Sequence, residues 1–173
     1  PSGVIPLKHF PAGSTCRSTR PAGETDDDGG KTCDADAGTF CSCGSDSECT
    51  AGNNGRCTIT GNGGPHCTYD ECGSSSDCTT ASTSCACGDV NPGSYNLCVP
   101  SNCKVDGDCG PSGFCSPSLG SCGTYGGEYG GIYCHTAKDE CVNDTDCTDG
   151  GLGFCGFDTE AAKWTCQYTI CAG

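Results

Sequence analysis

The sequence predicts a small disulfide-rich fold: a tandem array of cysteine-knotted repeats with short β-hairpins and loops, and little or no helix. Three observations carry that expectation. The chain places 22 cysteines in 173 residues, above the level of about 8–10% that marks a disulfide scaffold. Val, Ile, Leu and Phe make up only about a tenth of it, too little for a chain of high net charge to bury a core, and the formal charge is −14. Finally, one frame returns four times, as CGSDSEC (43–49), CGSSSDC (72–78), CKVDGDC (103–109) and CVNDTDC (141–147). In each, two cysteines enclose five residues and an acid precedes the second cysteine.

Either such a chain is disordered or covalent bonds replace the missing core, and the cysteines favour bonds. A native bridge in a small secreted domain contributes about 2–5 kcal/mol, mostly by restricting the unfolded chain. Such bonds persist in oxidising surroundings, so the sequence predicts an extracellular or cell-surface protein. Pro1 and the lack of any Met read as a processed chain whose secretion signal has been removed. There is no run of about 18 apolar residues to span a membrane. Eight Lys plus Arg against 22 Asp plus Glu argue against nucleic acid and anionic membranes as partners.

Residues 1–15 form an N-terminal arm without cysteine that holds Val4, Ile5, Leu7 and Phe10. Pro1, Pro6 and Pro11 forbid a continuous helix or central strand, leaving an extended or polyproline-like segment. Two readings stand: a tail that packs on its own first knot or frays, and an arm that docks on a neighbouring subunit. Residues 16–42 make a partial repeat with Cys16 as its opening cysteine, followed by Cys33 and Cys41. The four full repeats take residues 43–71, 72–102, 103–140 and 141–173. Their cysteines are Cys43, Cys49, Cys57 and Cys67; then Cys72, Cys78, Cys85, Cys87 and Cys98; then Cys103, Cys109, Cys115, Cys122 and Cys134; and last Cys141, Cys147, Cys155, Cys166 and Cys171. All 22 are expected in bridges, whose pairing the spacing leaves open.

Between cysteines, Gly, Pro, Asn, Ser and Thr dominate, which disfavours helices of normal length. RCTITG (56–61), GIYCHT (131–136) and KWTCQYTI (163–170) carry β-branched and aromatic residues with partial alternation, the signature of strands. DTEAAKW (158–164) is read as one helical turn.

The acids before the second frame cysteine, Glu48, Asp77, Asp108 and Asp146, suit turn closure by accepting backbone N–H bonds, with Glu less apt than Asp. The rival reading is weak structural calcium at Asp34, Asp36, Asp106, Asp108, Asp144 and Asp146, whose Asp-x-Asp spacing supplies hard oxygens. None completes an EF-hand loop.

CKVDGDCGPSGFC (103–115) resembles the cysteine repeat in the N-terminal domain of Dickkopf-type secreted proteins. It is also similar to arrays in cysteine-rich secreted or surface proteins of myxobacterial type. The first resemblance implies a protein-binding module without catalysis, and the second implies a cell surface.

For catalysis a nucleophile, a base and an orienting group are needed. The histidines are His9, His66 and His135, the last two beside cysteines. Neither GxSxG nor HExxH occurs, and the cysteine spacings do not suit zinc. No enzyme is expected, and no cofactor apart from the structural calcium. GGEYGGIY (126–133) and RSTRPAGET (17–25) are candidate inhibitory loops toward a protease. Tyr125, Tyr129 and Tyr133 serve either as sticky contact residues, as in adhesive or sugar-binding proteins, or as covers for thin hairpins. Asn143-Asp144-Thr145 fits the N-glycosylation pattern. The sequence thus predicts a structural or adhesive extracellular protein, with a self-assembling fibre subunit whose arm docks on a neighbour as its sharper form. A soluble protein-binding module and a protease inhibitor are its alternatives. The expected partners are the chain itself or another extracellular protein, with glycans as a further class.

Overall fold

A computed structural model describes residues 10, 15–16, 43–58, 65–88, 95–119, 129–148 and 153–168. Its strands pair in four antiparallel hairpins: β1 (Asn53–Thr58) with β2 (His66–Asp70), β3 (Thr83–Ala86) with β4 (Leu97–Pro100), β5 (Phe114–Leu119) with β6 (Tyr129–His135), and β7 (Phe154–Asp158) with β8 (Lys163–Gln167). Among the described residues the only helical pieces are single 3-10 turns at Asp46–Glu48, Asp106–Cys109 and Asp144–Asp146. The chain is a small disulfide-rich protein of hairpins, as its composition dictates. An isolated two-stranded hairpin is marginal in water, so each must be held by something else.

The register shows how. Cys57 faces Cys67, Cys85 faces Cys98, Cys115 faces Cys134 and Cys155 faces Cys166 across their hairpins. Side chains directly opposite each other share one face of a ladder. Both sulfurs therefore point to one side, and the seven-residue frame lies over that side and takes both. The first frame cysteine bonds the nearer strand in Cys43–Cys57, Cys72–Cys85, Cys103–Cys115 and Cys141–Cys155. The second bonds the farther strand in Cys49–Cys67, Cys78–Cys98, Cys109–Cys134 and Cys147–Cys166. In each repeat the first cysteine is thus bridged to the third, and the second to the cysteine that faces this third one across the hairpin.

A ninth bridge, Cys16–Cys87, lies outside this pattern. Cys16 does not open a separate upstream knot; it bonds the extra cysteine of the second repeat, 71 residues away. Its neighbour Thr15 bridges Ser74, and the Cys16 N–H donates to Gly73 O at 2.9 Å. Cys33, Cys41, Cys122 and Cys171 lie outside the described residues.

A second correction concerns 158–164. These residues form the turn of the last hairpin, with Asp158 opposite Lys163 and Phe157 opposite Trp164. The Asp158 carboxylate accepts Glu160 N–H and Ala161 N–H at 2.8 and 3.0 Å, an alternative to helical bonding that short polar side chains offer. In GGEYGGIY the residues from Tyr129 on belong to strand β6, and RSTRPAGET (17–25) lies outside the described residues.

Small cores sit where one hairpin meets the frame of the next repeat. Ala86 and Val99 of the second hairpin pack with Cys103, Cys115 and Ile132 of the third repeat. Tyr133 packs with Cys141, Cys147, Cys155 and Trp164 of the fourth. The third cluster, Cys16, Cys72, Cys78, Cys85 and Cys87, is almost entirely sulfur.

Candidate functional site

The frame is the unit that repeats, and its two acids have separate work. The later one caps the turn. Asp77 Oδ2 accepts Gly73 N–H and Ser74 N–H, both at 2.8 Å. Asp108 Oδ2 accepts Lys104 N–H and Val105 N–H at 2.7 and 3.1 Å. Asp146 Oδ2 accepts Val142 N–H and Asn143 N–H at 2.8 and 3.1 Å. Glu48, one methylene longer, makes a single such bond, to Gly44 N–H at 3.2 Å. In the three aspartates these N–H bonds hold the carboxyl pKa below its usual value, because they favour the charged form.

The earlier acid ties the frame to its hairpin. Asp46, Asp106 and Asp144 accept the N–H of Cys57, Cys115 and Cys155 at 2.9, 3.0 and 2.9 Å. In the second repeat Ser75 stands at that place, and its hydroxyl accepts Cys85 N–H at 3.2 Å. Asp106, Asp108, Asp144 and Asp146, read in the sequence as hard-metal ligands, thus each commit one oxygen to backbone N–H groups. Asp34 and Asp36 lie outside the described residues. The groups of three ligand-type side chains that draw together among the described residues are all cysteines. Every one of those sulfurs belongs to a disulfide, so they offer no thiolate to a soft metal.

The arm meets the body at two described positions, Thr15 beside Ser74 of the second repeat and Phe10 on the third. Phe10 donates its N–H to Cys115 O at 3.1 Å and accepts Asp106 N–H at 2.8 Å. Its half-buried ring packs against the core between the second and third repeats. One extended residue is thereby added to the outer edge of β5, wedged between strand and frame. The contact is made within the chain, on the third repeat and not on the first knot. Val4, Ile5 and Leu7 lie outside the described residues.

The third and fourth repeats are joined by aromatic stacking. His135 lies between Phe114, with ring centroids 4.5 Å apart, and Trp164 at 4.0 Å. Tyr133 stacks on Phe157 at 3.9 Å. Trp164 Nε1–H donates to Cys134 O at 3.0 Å. His135 Nδ1 pairs with Asp139 Oδ2 at 2.9 Å, and its buried Nε2 has no partner among the described residues. Burial pushes the His135 pKa down, against the pull of Asp139. The place of His135 in GIYCHT, inside a strand pattern, was the signal available in the sequence. Of the three tyrosines, Tyr133 is a buried cover, Tyr129 opens strand β6, and Tyr125 lies outside the described residues. His66 is a strand residue of β2, and His9 lies outside the described residues. The Asn143 Oδ1 of the glycosylation pattern accepts both Thr145 N–H and the Thr145 hydroxyl.

A cleft of about 500 Å³ opens between the first two repeats, lined by Thr15, Asn53, Asn54, Asp70, Ser74 and Asn96 among others. Asp70, at its junction, accepts Asn54 Nδ2–H at 2.8 Å and Asn96 N–H at 2.9 Å, so it links the two repeats.

Fold and site together define a chain of doubly stapled hairpins with an arm seated on one of them. No family model, curated protein or solved structure matches it, so the functional reading rests on the residues themselves.

Proposed function

We propose that this is an extracellular, non-enzymatic structural or adhesive protein that self-associates through its N-terminal arm into a surface fibre. The observation that carries the reading is the seat of Phe10, a strand-edge position taken by a residue from the far end of the chain. Strand addition is a general docking mode in which backbone bonds give affinity and an adjoining apolar site gives selectivity. An element held this way can be exchanged between copies at low cost. The stapled hairpins supply a body that resists unfolding and proteolysis outside the cell, where bridges persist.

The test is the native mass of the unreduced protein by light scattering, beside a form lacking residues 1–15. Large particles that collapse to monomers on truncation support the proposal. Two monomeric forms at high concentration sink it and favour a module with a separate protein partner, which the Dickkopf resemblance implies.

A further inference from the structure

We propose that the outer edge of β7 at Cys155, short of Phe157 whose N–H already donates to Ser118 Oγ at 2.9 Å, is a docking notch for the N-terminal arm of a second copy of this chain. The inference rests on the self-association reading and names its receiving surface.

The third repeat shows what the notch holds. Cys115 gives its N–H to Asp106 Oδ1, so its backbone faces the frame and not β6. In an antiparallel ladder the N–H and C=O of one residue point to the same side. The Cys115 C=O therefore faces outward too, and with Asp106 N–H it brackets the backbone of Phe10. The fourth repeat builds the same bracket. Cys155 gives its N–H to Asp144 Oδ1 at 2.9 Å, so its C=O is turned to the matching side. Asp144 N–H stands where Asp106 N–H stands, at the start of the 3-10 turn. Among the described residues neither of these two groups has a partner. Cys155 is only 8% exposed, and backbone groups so placed normally are paired. The two large apolar side chains exposed among the described residues, Val142 at 42% and Tyr168 at 51%, both belong to this repeat.

The occupant follows from what the equivalent bracket accepts. Phe10 precedes Pro11, and a residue before proline is driven to the extended conformation that strand addition needs. The arm carries one more such pair, Ile5-Pro6, five residues upstream. With Phe10 seated on its own third repeat and the fourth bracket unpartnered among the described residues, a second copy supplies the segment that fits. A contact between the N-terminal arm of one copy and the C-terminal repeat of the next is head-to-tail. Such a contact generates a filament where its rotation does not close a ring.

The experiment follows amide hydrogen exchange by NMR in ¹⁵N-labelled full-length protein, dilute and then with excess unlabelled protein, with Ile5→Asp protein as control. Dilute, Asp106 N–H is protected by Phe10 and Asp144 N–H exchanges freely. Excess unlabelled wild-type protein slows Asp144 exchange by roughly tenfold or more, and Ile5→Asp protein does not. Growth of particles while Asp144 stays unprotected overturns the notch but leaves self-association standing. Protection of Asp144 already in the dilute monomer assigns the bracket to the chain's own arm and overturns the second copy. Monomers at every concentration sink both readings.

Discussion

Gly55, Gly113 and Gly153 each stand two residues before the third cysteine of their repeat, and each should resist substitution by alanine to a different degree. None has a positive φ, so alanine meets no backbone penalty and the cost is steric. A Cβ on Gly55 would lie 1.9 Å from Cys49 O. On Gly113 it would lie 2.3 Å from Cys109 O and 2.8 Å from His135 O, and on Gly153 2.7 Å from Cys147 O. The struck carbonyl belongs each time to the second frame cysteine, which is bridged to the hairpin. Relief therefore requires the stapled loop to lift off its strand. Overpacking of a close-packed site costs about 1–3 kcal/mol, with Gly55→Ala at the top of that range and Gly153→Ala at the bottom. For a chain of this length each kcal/mol lowers Tm by about 2–4 °C, giving losses of ~6–12 °C and ~2–4 °C. Calorimetry on fully oxidised variants, checked by mass for free thiols, measures them. Three variants that melt alike, or Gly153→Ala as the worst, would show that the frame does not press on the hairpin as described.

Two pH effects follow from the same geometry. His135 has a folded pKa depressed below its unfolded value of about 6.5 by burial between Phe114 and Trp164. The unfolded chain therefore binds the proton first, so the stability linked to His135 is complete above that pH and declines as pH falls toward the folded pKa. Melting followed by Trp164 fluorescence should show this limb, and His135→Phe should flatten it; an unchanged limb in the variant assigns it to other groups. Asp77, Asp108 and Asp146 also have lowered pKa values, but as acids. Their contribution is present above the ordinary carboxyl value and lost as pH falls through the folded pKa. Asp146→Asn should thus lower Tm at neutral pH and make little difference in strong acid, and equal losses at both pH values would contradict the role of its charge.

Much of the local design was legible in the chain because it is local. Asp77, Asp108 and Asp146 bond N–H groups three and four residues before them, so C-x5-C with its late acid could be read as a closed turn. The weaker single bond of Glu48 follows from side-chain length in the same way. Strand residues around Cys57, Cys134 and Cys166 could be read from β-branched and aromatic residues near them. The stretch 158–164 was misread because Ala161, Ala162 and Lys163 favour helix, while the pairing of Phe157 with Trp164 closes a hairpin around them. Helix propensity over one turn is too weak to oppose a ladder and a stacked core.

The sequence by itself determined that bridges replace the core and that the frame repeats four times, and it offered turn closure as one of two readings of the late acid. Only the tertiary structure decided which cysteine meets which. That choice depends on facing cysteines sharing one side of a hairpin, and the spacing alone permits many pairings. It also decided that Cys16 reaches Cys87, that His135 lies between two rings and that Phe10 seats on the third repeat. Those contacts join residues tens of positions apart, and no local spacing encodes them; the packing of one stapled hairpin on the next does.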